Sequence, residues 1–166
     1  MTEAQTIDAG MIEGLLGEAR SSARRRAIRR LHSGDWEHCH RMLNALVPGT
    51  YVQPHRHPNL HQGEGFIILR GRLALLIFDD DGSVDAGLSR VLSPEDGVLG
   101  IDIASGIWHS LVAIEECVIY EVKGQPPGGY VQAGDKEFAP WAPAEGEPSV
   151  DGYLRSLEQT ARGLIR

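Results

Sequence analysis

The sequence predicts a single all-β domain, a barrel or sandwich of short strands with a short helix at each end. Two observations lead there. Short apolar segments recur at regular spacing through the middle of the chain, separated by Gly, Pro, Asp or Glu turns, which is the pattern of a barrel or sandwich and not of a parallel α/β sheet. Two of these segments, FIILR and LALLIF, are almost continuously apolar, as expected of strands in the middle of packed sheets.

Composition agrees with this class and excludes others. The 166 residues fit one domain with a real core. Hydrophobic residues make up 42% and charged residues 23%, ordinary for a soluble globule. A net charge of -7 argues against general nucleic-acid binding, which needs a basic surface. No apolar run approaches the roughly 18 residues needed to span a bilayer, and the N-terminus lacks a basic-then-apolar signal pattern, so a cytoplasmic protein without a membrane partner is expected. Cys39 and Cys117 are too few and too far apart for a disulfide framework or a thiolate metal motif, and read as packed thiols.

Taken in order, residues 1–35 hold a helix and a basic segment. Asp8 can cap a helix on which Met11, Ile12, Leu15, Leu16 and Ala19 recur at helical spacing, giving a stripe that packs against the outside of the barrel. Arg24 to Arg30 then contributes five arginines, read either as an anion clamp for phosphate or carboxylate or as a solvated face paired with the protein's own acids. The barrel itself is expected over 36–123. Trp36 to Val47 alternates as a strand, with His38, His40, Met42 and Asn44 on one face. His38 and His40 lack a third ligand at a spacing that closes a metal shell. A hairpin turn is expected at Gly71-Arg72, a plain turn at Asp79-Asp80-Asp81-Gly82, and strands over 84–92, 97–103, 107–114 and 117–123. Residues 124–166 comprise a Pro/Gly-rich covering loop anchored by Tyr130, Phe138 and Trp141, with Lys136 or Tyr130 available to a ligand pocket, and a last helix from Tyr153 to about Leu164.

The chemistry concentrates between Gly49 and Gly71. Successive side chains of a strand point to opposite faces, so His55 and His57 project together and Arg56 projects away. Glu64, at the start of the returning strand, can face the same point, and His109 in GIWHSLV can supply a fourth donor. Three neutral imidazoles and a carboxylate outline a site for one divalent transition ion, with iron, nickel, manganese, cobalt and zinc all compatible; two cis positions stay open on a six-coordinate ion.

Gly49, His55, His57, Glu64 and Gly71 resemble the first motif of the cupins, and GIDIASGIWH resembles the second. The gap between His57 and the acid is longer than in most cupins, where the shorter spacing would land on His61; Glu64 keeps the six-residue step to Gly71 and is taken as the ligand. HRMLNALVPGTYVQPHRHP, EGFIILRGRLALLIFDDDG, YEVKG and DKEFAPWAPAEGE are similar, over nearly the whole chain, to the WbuC-type cupin-fold metalloproteins of bacteria. That resemblance implies a metal-binding double-stranded β-helix, or jelly roll, found in part in surface-polysaccharide (O-antigen) gene neighbourhoods; it implies no particular reaction. The fold class is expected to form homodimers through barrel edges.

Three functions follow from these residues. The first is a metalloenzyme acting on a small oxygen-rich molecule, either isomerising or epimerising a sugar derivative or oxidising with O2 through Fe(II), with Tyr51, Tyr120, His40 and Lys136 as candidates for proton transfer. The second is a non-catalytic module that binds a sugar or carboxylate through the metal. A purely structural metal site fits least, because such sites are closed tetrahedra.

Overall fold

The structure, a computed structural model, describes residues 4–165. Its elements run α1 (Ala9–Ser21), β1 (Arg26–Arg30), β2 (Cys39–Leu46), β3 (His55–Arg56), β4 (Glu64–Arg70), β5 (Leu73–Phe78), β6 (Arg90–Leu92), β7 (Gly100–Ile103), β8 (Trp108–Ala113), β9 (Cys117–Gly124), β10 (Glu137–Phe138) and α2 (Val150–Gly163). Among the described residues the strands form two five-stranded sheets, ordered β1-β2-β9-β4-β7 and β10-β3-β8-β5-β6. All the pairings are antiparallel, and the two sheets face each other as a jelly roll with a helix at each end.

Alternation explains how the sheets are buried. Along β5, Leu73, Leu75 and Ile77 point between the sheets, where they meet Phe66, Ile68, Leu111 and Ile119. Ala74, Leu76 and Phe78 point outward into a second cluster with Leu157 and Ala161 of α2 and with Trp141. Both faces are covered, which is why LALLIF is apolar throughout. The outer face of the other sheet, through Leu43, Ala45 and Val118, receives Leu15, Leu16 and Ala19 of α1. That helix begins where expected, with the Asp8 carboxylate accepting the Met11 N–H at 2.8 Å.

Three local expectations are corrected. Gly71-Arg72 does not close a hairpin: β4 pairs with β7 and β9 while β5 pairs with β6 and β8, so the chain crosses there from one sheet to the other. Gly71 has φ +76°, and a Cβ on it would lie 2.0 Å from the Glu116 carbonyl oxygen, so the crossing demands glycine. The strand expected over 84–92 shrinks to a bridge from Val84 to Phe78 and the short β6. Between them Asp85 draws the N–H groups of Gly87 and Leu88 into a turn, at 2.7 and 3.0 Å. The basic segment contains a strand, β1, which pairs along the whole of its length with β2. Its arginines sit on a sheet edge, where charge blocks further pairing.

The segment after β9 is ordered cover. Asp135 is buried and its Oδ1 accepts from Lys123 Nζ at 2.6 Å and from Gln62 Nε2 at 2.9 Å. β10 then adds to the edge of β3, so the cover is stitched into the sheet that carries the histidines.

Candidate metal centre

His55 on β3 and His109 on β8 are direct cross-strand partners, and His57 follows one pleat later on the same face. Glu64, the first residue of β4, reaches across from the opposite sheet. All four side chains are buried. The three imidazoles each offer a nitrogen within 4.8 Å of the others. Glu64 joins through two of them, with Oε1 3.2 Å from His57 Nε2 and Oε2 3.0 Å from His109 Nε2. His61, by contrast, is exposed, and its side chain lies outside this cluster.

The hydrogen bonds fix which nitrogen carries the proton. Each Nδ1 faces a backbone carbonyl: His55 that of Gln53 at 2.9 Å, His109 that of Ile107 at 2.9 Å, and His57 that of Asp135. A carbonyl only accepts, so each Nδ1 is the N–H, and each Nε2 of a neutral ring turns its lone pair inward. Two of these lone pairs then face the carboxylate of Glu64. Acceptors held against acceptors in a buried site are satisfied by a cation placed between them. Consistently, His57 Nε2 and Glu64 Oε2 are buried without a hydrogen-bond partner among the described residues, and the lone pair of His55 is met by the Lys136 ammonium at 3.1 Å. The donor set therefore fits a divalent transition ion.

The electrostatics agree. Burial, reinforced by Lys136 and His109, holds the His55 pKa well below its usual value, favouring the neutral ring that a metal needs.

A cavity of about 310 Å³ opens on this cluster. Val52, Phe66 and Leu111 give it an apolar wall, while Arg24, Arg26, Asn44, Glu121 and Lys136 supply polar groups. Arg24 and Arg26 share Glu145, at 2.6 and 3.1 Å, so the basic segment both pairs with an acid of the protein and lines the cavity. Glu121 accepts from Asn44 Nδ2 at 2.6 Å, and its carboxyl is pushed up to about 7 by burial and by the charge of Glu64.

The four residues considered for proton transfer separate. Lys136 stands at the cluster. The Tyr51 hydroxyl is committed to the Pro143 carbonyl at 2.7 Å, Tyr120 lies against α1 on the outer face of its sheet, and His40 stacks on His32 away from this cavity. Glu121 and Asp135 were not singled out from the sequence. A signal for Glu121 existed: in CVIYEVKG it shares strand phase with Cys117 and Ile119, so a charge there faces the barrel interior.

A jelly roll of two five-stranded sheets with three imidazoles and an acid at one mouth is the cupin architecture. The chain belongs to the family described as a domain of unknown function, DUF6016, whose model matches residues 7–89. No curated protein matches its sequence. Among solved structures it is similar to an oxalate oxidase, at 17% identity over 86% of this chain and 75% of that one, with a TM-score of 0.53. It is also similar to a cupin-2 domain from Rhodospirillum rubrum, at 16% identity over 80% of each chain and a TM-score of 0.51. A protein from Shewanella oneidensis aligns at 10% identity over 84% of this chain and 85% of that one, with a TM-score of 0.52. At these identities the likeness is one of fold.

Proposed function

We propose that this cupin binds one divalent first-row transition ion through His55, His57, Glu64 and His109 and uses it to hold, and in the enzyme reading to transform, a small oxygen-rich anion in the adjoining cavity. The observation that carries the reading is the set of inward Nε2 lone pairs facing a buried carboxylate. Such an ion, when bound, acts as a Lewis acid on a carbonyl or carboxylate oxygen or lowers the pKa of bound water. The protein's own groups supply the rest. Arg24, Arg26 and Lys136 favour a carboxylate or phosphate, and the apolar wall of Val52, Phe66 and Leu111 excludes water from one side of it.

Glu121 favours turnover over passive binding. A carboxyl lining the ligand cavity can take a proton from a bound molecule and return it. Isomerisation or epimerisation of a sugar derivative uses that chemistry. The narrower reading, a WbuC-type protein of surface-polysaccharide metabolism, is supported by the sequence resemblance in VPGTYVQPHRHP and DKEFAPWAPAEGE. An oxygen-dependent reaction through iron is the second reading, allowed by the two positions that three imidazoles and a carboxylate leave open on a six-coordinate ion.

Elemental analysis of purified wild type, His57→Ala and His61→Ala tests the centre. About one equivalent of a transition metal is expected at these four residues in wild type and His61→Ala, and a loss of that equivalent in His57→Ala. Equal metal in wild type and His57→Ala sinks the proposal. The metal found then selects the assay, with iron directing it to oxygen consumption and the others to isomerase trials.

A further inference from the structure

A second pair of imidazoles meets beside a neighbouring cavity. His32, in the loop after β1, and His40, on the inner face of β2, stack with ring centroids 3.9 Å apart and planes 11° from parallel. Both are more than nine-tenths buried, at 8% and 4% exposure, and each Nε2 is buried without a hydrogen-bond partner among the described residues. Packed neutral rings would leave two buried polar nitrogens unsatisfied. Asp35 brings a carboxylate to the same place, so that one donor atom of each of the three residues lies within 4.8 Å of the other two.

The local chain holds this arrangement in position. His32 Nδ1 meets both polar groups of Arg41, its carbonyl at 3.0 Å and its N–H at 3.2 Å. The Tyr130 N–H donates to the Asp35 carbonyl at 2.6 Å, and Gly129 packs so closely there that a Cβ would lie 2.5 Å from that oxygen. Arg30 contacts only Oδ1 of the Asp35 carboxylate, at 3.3 Å. A cavity of about 190 Å³ opens on these residues and on Glu121, Lys123 and Tyr130. The Lys123 ammonium is paired with Asp135 at 2.6 Å.

We propose that His32, Asp35 and His40 form a second site for a divalent ion of the zinc or cobalt(II) class, separate from the centre at His55. Two imidazoles and one carboxylate match a three-ligand zinc set with an open position toward the cavity. At metal–nitrogen distances of about 2.0–2.1 Å and a tetrahedral angle, two rings on one ion have centroids roughly 5 Å apart, so the stack has to open by about 1 Å. The His55–His57 pair, with centroids at 5.3 Å, already has that spacing.

The test is a cobalt(II) titration of metal-stripped full-length protein, read by equilibrium dialysis and by visible d–d absorption. In His55→Ala/His57→Ala, which disables the first centre, one equivalent with tetrahedral-type bands is expected. Adding His40→Ala should abolish it, and adding Asp35→Asn should weaken it roughly tenfold or more. No cobalt bound by the double variant, or binding unchanged by His40→Ala and Asp35→Asn, overturns the proposal. If the double variant does not fold, wild type against Asp35→Asn decides: a fall by one equivalent supports the site and no change overturns it. Failure of the first centre is read separately, from His57→Ala alone.

Discussion

Glu121 ionises at a different pH in the folded and the unfolded chain. Its folded-state carboxyl keeps its proton up to about 7, whereas the unfolded carboxyl releases it near 4.5. Between those values the folded state binds more protons, so this group makes stability fall as pH rises from about 4.5 to about 7. Glu121→Gln removes that loss. Thermal melts should find the variant more stable than wild type by roughly 2–3 kcal/mol above pH 7, with the difference gone below the unfolded pKa. Equal pH slopes in the two proteins would show that the carboxyl does not carry the proton.

At the scale of elements, the crossing at Gly71 decides which strands become neighbours. Its positive φ and the 2.0 Å approach of the Glu116 carbonyl leave no room for a side chain. Gly71→Ala should cost about 2–4 kcal/mol, read as a lower urea midpoint at unchanged slope. A midpoint within error of wild type would mean that the crossing can move aside. This is also where the sequence misled. A glycine between two apolar strands is the signature of a hairpin and of a change of sheet alike, and the difference lies in pairings made by strands distant in sequence. The short returns around Asp85 and the strand hidden among the arginines of β1 were obscured for a similar reason, because side-chain hydrogen bonding and edge position override local pattern.

For the whole molecule, the centre joins both sheets and the covering segment: His55, His57 and His109 come from one sheet, Glu64 from the other, and the Asp135 carbonyl, which takes the His57 Nδ1–H, from the cover. An ion bound there ties three parts of the fold together. Saturation at a hundred times Kd should stabilise the protein by about 2.7 kcal/mol, or roughly 5–10 °C in Tm for a chain of this size. A chelator should reverse the shift, and His57→Ala should not display the part due to this centre. An ion-independent Tm would show that the folded state has no preference for the metal.

Strand alternation placed His55 and His57 on one face without any knowledge of the fold, and the six-residue step from Glu64 to Gly71 separated Glu64 from His61. Helical spacing and the Asp8 cap likewise determined α1, because a periodic apolar stripe and a capping carboxylate act over a few neighbouring residues. Tertiary structure alone decided the carbonyl partner of each Nδ1, the entry of Arg24, Arg26 and Glu121 into one cavity, and the meeting of His32, Asp35 and His40. Those contacts depend on the register between strands and on how loops fold back over the barrel. Register is set by the summed burial of both sheets, which no single stretch of sequence contains.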